Sequence, residues 1–563
     1  MSHRPTVCGT RHAVSAGHYL AAAAGFAMLE AGGNAIDAGC AAGIALAVLQ
    51  PDLVNVAGVA PIMIRLADGT VESIAGLGWW PKSFPADLFM REHGGKIPDG
   101  VLRTVVPAAP DAWITALRRH GTMRFADVAA SAIRFAAEGF QVYPLLSVSI
   151  ASHADEYRRW QSNTAIFLPN GHVPKEGDKF VQSDLARTLQ FMADQDRAAG
   201  PDRMAGLAAA HHAFYRGDIA REIVRFHKSE GGYLSMDDLA SYQSPIEPVV
   251  RRNWRGHELI TCGPWCQGPA LQQALALVEQ VGIDGLAHNS ADYLHRIVAC
   301  LNLAMADREY FFGDPKFVDV PIDHLLDPAT VARRAAAVRD DQAFDAMPAP
   351  LDRPNSPFAA SERELPKVEA DTSYCCAVDR WGNAFSATPS DGSGNVPVVP
   401  GLGITPSGRG SQSRPDPRHP AGVAPGKRPR LTPNPAMVLT RDGGVMPFGT
   451  PGGDVQTQAM LQVMLNILHF DMQVQEAIEA PRVASYNFPS SFAPFEYFPG
   501  RLALERRIDA ATRAELAARG HEVKDWPEWT WLAGSVEAIL TDPKSGMMAA
   551  GADPRRPAYA IAI

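Results

Sequence analysis

Runs of like charge, paired cysteines and long apolar segments are all scarce in this 563-residue chain. Its seven cysteines, at 8, 40, 262, 266, 300, 375 and 376, are odd in number and scattered, so no disulfide framework is expected. Cys262 and Cys266 have no second pair at zinc spacing, which leaves no metal site to predict. The net charge of −9 comes from interspersed acids and bases without a basic stripe, and this argues against nucleic acid as a partner. Met1 to Arg11 lacks a charged start followed by an apolar stretch. The Ala-rich run from Leu20 to Leu29 is too short to span a bilayer and is interrupted by Gly25. The expectation is a cytoplasmic, reduced protein with no membrane partner. No G-x-S-x-G segment points to a serine hydrolase of the α/β type, and no Walker lysine accompanies Gly452-Gly453, which leaves nucleotide binding without support.

An apolar content of 46 % is ordinary and supports a sizeable core. Helical patterns cover His18 to Ala31, stopped by Gly32-Gly33, and Ala35 to Leu49, opened by Asn34 and closed before Pro51. Others recur around 109–120, 126–138, 183–195 and 292–307, and Ser235 followed by Asp238 predicts a capped short helix. Val59 to Leu66 and Thr70 to Ile74 flank Asp68-Gly69, a hairpin signal. Residues 339–371 carry five prolines and read as an exposed connector.

Directly after that connector a strand-like run begins, Asp371-Thr372-Ser373-Tyr374-Cys375-Cys376-Ala377-Val378-Asp379. A threonine heading a strand is ordinarily just a strand residue. If the chain cuts itself between Asp371 and Thr372, however, Thr372 becomes an N-terminal residue whose own amine can act as general base for its hydroxyl. Strands are predicted on both sides of Gly382-Asn383, at Ala436 to Thr440 and at Val445 to Gly449, with a helix over Gln456 to Leu468.

Several segments together are similar to the γ-glutamyltranspeptidase family of N-terminal nucleophile hydrolases. They are Gly32-Gly33-Asn34-Ala35-Ile36-Asp37-Ala38, Phe214-Tyr215-Arg216-Gly217, Asp238-Leu239-Ala240-Ser241-Tyr242, Ala306-Asp307-Arg308 and Gly313-Asp314-Pro315. Asp371-Thr372-Ser373, Pro425-Gly426-Lys427-Arg428-Pro429, Gly449-Thr450-Pro451-Gly452-Gly453 and Ala552-Asp553-Pro554-Arg555 complete the set. The resemblance implies an α+β fold, a four-layer αββα sandwich. It also implies cleavage into a large subunit, 1–371, and a small catalytic subunit, 372–563, that stay interleaved as one globule. Thr372 would then be the nucleophile, Ser390 the hydroxyl that orients its amine, and Gly452 and Gly453 the oxyanion donors. No cofactor is implied. The expected partners are a small-molecule amide and the chain's own two fragments, with a dimer of these left open.

The chain departs from the family where a glutamyl headgroup would be held. The stretch Ala75-Gly76-Leu77-Gly78-Trp79-Trp80-Pro81 lacks the carboxylate-gripping arginine. Ser407-Gly408-Arg409-Gly410-Ser411-Gln412 lacks the acid for an α-amino group, and the expected serine pair is Leu431-Thr432. Arg409, and secondarily Lys82, are candidates for binding a different carboxylate, while Thr432, Trp79 and Trp80 are candidate pocket residues. Trp79-Trp80 reads equally as core, and Arg409 as a solvated loop residue. The implied activity is an amidohydrolase acting on an oxamate-type amide or an acylase substrate. A true γ-glutamyltransferase and an unprocessed binding or scaffold protein are the alternatives.

Overall fold

The computed structural model describes residues 2–354, 358–363 and 372–563. Two seven-stranded antiparallel sheets lie face to face. The first runs in the order Val7–Gly9, Met548–Ala552, Glu537–Thr541, Val445–Gly449, Ala436–Leu439, His257–Thr261, Val250–Trp254. The second runs Tyr559–Ala562, Ala13–Ala16, Cys375–Val378, Ala384–Ala387, Ile62–Arg65, Val71–Ile74, Ile246–Glu247. The strand that follows Thr372 is therefore central, paired on one side with Ala13–Ala16 and on the other with Ala384–Ala387.

Period-2 alternation sorts the side chains of these strands into separate cores. Tyr374, Cys376 and Val378 face the other sheet and pack with Ile260, Met437 and Ile539. Cys375 and Ala377 face the opposite way, onto the helices Tyr19–Glu30, Ala35–Leu49 and Ala109–His120. The outer face of the first sheet is covered by Gly268–Val281, Ala291–Phe311 and Val455–Leu468. Helices, sheet, sheet and helices form the four layers of the αββα sandwich. Burial pushes the thiols of Cys375 and Cys376 well up, so both behave as small apolar residues.

The family-like segments do structural work at this level. In the Gly32-to-Ala38 segment, Asn34 and Asp37 form a capping box, and Asp37 also accepts from the backbone N–H groups of Thr122 (2.9 Å) and Met123 (3.0 Å). Gly39 follows in the same helix because a Cβ there would fall 2.0 Å from the ring of Phe385. Asp379 locks the hairpin after the central strand, taking the N–H groups of Trp381 (2.9 Å) and Asn383 (3.0 Å). It also caps the helix Ala35–Leu49 by accepting from Ala35 N at 2.9 Å. The described part of the Pro-rich connector, 339–354 and 358–363, contains no helix and no strand. Asp371 lies outside the described residues.

Candidate active site

Thr372 sits at the head of the central strand with φ at +79°, the left-handed region that a β-branched residue avoids. Among the described residues, contacts from three sides hold it there. Its N–H donates to Leu53 O (2.9 Å), its carbonyl accepts from Arg556 Nη1 (3.3 Å), and its Oγ1 lies 2.6 Å from Ser390 Oγ. Ser390 is positioned by an antiparallel bridge to Val59, with its N–H donating to Val59 O (3.0 Å) and its carbonyl accepting in return (3.2 Å). Arg409 Nη2 donates to Ser390 Oγ. A guanidinium can only donate, so Ser390 commits a lone pair to Arg409 and keeps its own proton available for Thr372 Oγ1. A chain from Arg409 through Ser390 to Thr372 thus ends on the threonine hydroxyl.

Arg409 is 1 % exposed, on a single turn of 3₁₀ helix at Arg409–Gln412, and is not a solvated loop residue. Its Nη1 donates to Gln412 Oε1 (3.3 Å), and Gln412 Nε2 donates to Thr432 Oγ1 (2.9 Å), so these three residues form one buried network. Asp391 balances the guanidinium at 3.7 Å while also accepting from Ser407 Oγ and Gly408 N.

Gly452 and Gly453 link the strand Val445–Gly449 to the helix Val455–Leu468, with φ at +123° and +56°. Both values favour glycine, and neither backbone N–H donates to an acceptor among the described residues. The next residue anchors this loop: Asp454 accepts from Arg308 Nη1 and from Ser491 N and Oγ, both at 2.7 Å. Burial alone would raise the Asp454 pKa, but Arg308 and Ser491 outweigh it and hold the carboxylate below its ordinary range. Arg308 belongs to the Ala306-Asp307-Arg308 segment, which therefore supports the glycine loop from behind.

Two pockets share Phe492 as a wall. One, of about 90 Å³, is lined by the two glycines, Tyr486, Phe488, Trp531 and Arg556. The other, of about 40 Å³, is lined by Asp52, Arg103, His153, Asp391 and Arg409. Trp79 and Trp80 line neither. Trp80 is fully buried, donates through Nε1 to Ser413 Oγ (2.9 Å) and packs on Phe84, and Trp79 packs on Tyr242. Lys82 Nζ donates to Ser241 Oγ (2.8 Å) at an exposed position. Of the sequence-predicted residues, Thr372, Ser390, Arg409 and Thr432 come together in one buried network, and Gly452 and Gly453 line a pocket that shares Phe492 with the pocket beside Arg409. The tryptophans do not join them. Arg556, Asp52 and Phe492 were missed. Arg556 directly follows the quoted Asp553-Pro554-Arg555 stretch, and Asp52 is an acid between Pro51 and Leu53-Val54, a pattern that signals burial.

Among the described residues no group of His, Cys, Asp or Glu side chains could hold a metal ion. None of their helices is long and apolar enough to cross a membrane.

A family profile described as gamma-glutamyltranspeptidase matches residues 21–563. The chain belongs to the γ-glutamyltranspeptidase family. It is 33 % identical to the acylase ACY 1 proenzyme of Pseudomonas sp. (strain SE83), over 95 % of this chain and 90 % of that one. The solved structure of LmbA2991HD superposes with a TM-score of 0.93 at 34 % identity, covering 100 % of both chains. Cephalosporin acylase from Bacillus halodurans superposes with a TM-score of 0.86 at 27 % identity, covering 100 % of this chain and 98 % of the other. Membership of this family supports catalysis of the hydrolase or acyltransferase type.

Proposed function

We propose that the protein is a self-processing amidohydrolase that works through an acyl-enzyme on Thr372. The observation that carries this reading is the contact of Thr372 Oγ1 with Ser390 Oγ, at 2.6 Å, in a residue whose backbone is held at positive φ. Strain of that kind, about 1–3 kcal/mol, favours opening the bond on its N-terminal side. The hydroxyl attacks the carbonyl carbon of Asp371, and the C–N bond breaks as its nitrogen takes a proton. The resulting ester is hydrolysed by water, which leaves the Asp371 carboxylate, the Thr372 hydroxyl and a free α-amine. The fragments are 1–371 and 372–563. An α-amine has a pKa near 8, so roughly a tenth or more is neutral at physiological pH and can accept the hydroxyl proton.

Attack on a substrate amide then gives a tetrahedral oxyanion, to which the unpaired N–H groups of Gly452 and Gly453 are suited as donors. One such donor is worth about 3 kcal/mol of barrier. The amine half departs with the proton, and water releases the acyl group. The substrate is a small amide other than glutathione, of the oxamate or acylase kind. The supporting facts are the missing arginine at 75–81, the missing acid at 407–412 and the single hydroxyl at Leu431-Thr432. The acylase names among the relatives favour the same direction.

A denaturing gel tests the mechanism. The purified protein is expected to run as two fragments, with Thr372 at the N-terminus of the smaller, and Thr372→Ala as one full-length band. A single band from the unmutated protein refutes the reading and favours an unprocessed binding or scaffold protein. Release of nitroaniline from a γ-glutamyl anilide, lost in Thr372→Ala, would instead indicate a γ-glutamyltransferase.

A further inference from the structure

The pocket beside Arg409 contains an acid that the mechanism above leaves unused. Asp52 follows the helix Ala35–Leu49, one residue before Leu53, whose carbonyl accepts from both Thr372 N (2.9 Å) and Asp391 N (3.1 Å). Its side chain lines the pocket while being only 4 % exposed, and neither carboxylate oxygen has a hydrogen-bond partner. An orphaned buried carboxylate is expensive, and such groups in native proteins are matched by a partner that arrives with a ligand or water.

The charges around it identify the partner. Arg103 is paired with Asp99 at 2.7 Å, and Arg409 with Asp391 at 3.7 Å. His153 is engaged through Nδ1 with Ser149 O at 2.9 Å. No hydrogen bond or ion pair reaches the Asp52 carboxylate from the described residues, although the Arg556 charge acts on it. Arg103 and Arg409 each have a carboxylate of their own and Arg556 donates to the carbonyls of Thr372 and Trp531, which leaves the Asp52 carboxylate without a hydrogen-bonded cation among the described residues. Its volume of about 40 Å³ compares with roughly 10–15 Å³ for a single water, so a headgroup of a few heavy atoms fits.

We propose that Asp52 is a specificity-determining residue that receives a primary ammonium group of the substrate in the pocket between Asp52 and Arg409. The substrate class is then an amino-acyl amide, recognised by an acid supplied from the turn after the helix Ala35–Leu49 and not from the 407–412 loop. The surroundings agree. Burial pushes the Asp52 carboxyl up to about 6, against smaller opposing pulls from Ser149, its own backbone N–H, Arg556 and His153, so the group is mostly ionised at neutral pH. The Ser149 hydroxyl and the Asp52 N–H lie near the carboxylate, but no hydrogen bond of ordinary geometry reaches either oxygen.

The proposal rests on the amidohydrolase reading and narrows it to amides whose acyl part carries an amine, which sets aside the oxamate type, but its test needs no turnover. Calorimetric titration of the purified protein with L-alaninamide and with propionamide compares two amides that differ by the ammonium group. A charge-assisted hydrogen bond predicts about tenfold or more tighter binding of L-alaninamide at about pH 7.5, and Asp52→Asn is expected to remove the preference. Equal binding of the two amides, or no binding of either, overturns the proposal, as does a preference that survives in a folded Asp52→Asn. The wild-type comparison stands alone if the variant misfolds. Failure of the chain to cut itself would refute the nucleophile mechanism while leaving this result interpretable.

Discussion

Removing the Ser390 hydroxyl probes the contact on which the mechanism depends. Ser390→Ala deletes two interactions at once: the 2.6 Å contact with Thr372 Oγ1 and the acceptor for Arg409 Nη2. Arg409 is 1 % exposed, so water cannot readily replace the lost acceptor. A hydrogen bond to a charged group is worth about 1.5–3 kcal/mol, which corresponds to a slowing of roughly tenfold to somewhat over a hundredfold if it operates in the transition state. The assay is a time course of fragment appearance on denaturing gels, starting from freshly made full-length chain, with Ser390→Thr alongside. Ser390→Thr keeps a hydroxyl at the same Cβ and is expected to stay near the wild-type rate. Fragment formation by Ser390→Ala at the wild-type rate, with the fold intact by circular dichroism, would refute the argument that the Arg409–Ser390–Thr372 chain activates the nucleophile.

Three further outcomes are expected. Gly453→Ala forces alanine to φ of +56° and brings its Cβ to 3.3 Å from Phe492; kcat should fall about tenfold to a hundredfold with little change in melting temperature, and unchanged kcat would remove Gly453 from the oxyanion site. The Asp52 carboxyl, raised from 3.8 to about 6, binds its proton more tightly in the folded state, so its stabilising effect is full below about pH 4 and lost as pH rises through 6. That shift of roughly two units is worth about 3 kcal/mol, so Asp52→Asn should gain on wild type in denaturant melts between pH 4 and pH 8, and parallel curves would contradict the burial argument. Trp80→Phe loses the bond to Ser413 in the core, and should lower the melting temperature while leaving KM unchanged; a raised KM would return Trp80 to the substrate pocket.

The layered fold was legible because its signals are local. The period of the strands around Gly382-Asn383, the stop at Gly32-Gly33 and the Asn34–Asp37 box each reflect hydrogen bonds formed within a few residues. Thr372, Ser390 and the glycine pair were named as candidates through segments whose order the family shares, and the structure sets the Thr372 and Ser390 hydroxyls 2.6 Å apart. Trp79-Trp80 was ambiguous for a physical reason, since an indole in a core and an indole in a pocket wall satisfy the same apolar pattern. Arg409 was hard to read because its burial depends on Asp391 and Phe492, one close in sequence and the other far away. Asp52 and Arg556 converge near Thr372 from opposite ends of the chain, and no window of sequence contains that meeting.

The pairing of strands on either side of residue 372 has a consequence for any chain opened at Asp371. Cys375–Val378 is hydrogen-bonded to Ala13–Ala16, Ala384–Ala387 to Ile62–Arg65, and Tyr559–Ala562 to Ala13–Ala16. In the other sheet Met548–Ala552 pairs with Val7–Gly9 and Ala436–Leu439 with His257–Thr261. Five ladders therefore cross between the two prospective pieces, like a zip whose slider has been cut off while its teeth stay engaged. Neither piece could be made alone without baring strand edges that invite aggregation. Scission would free one amine and one carboxylate and leave the melting unit whole.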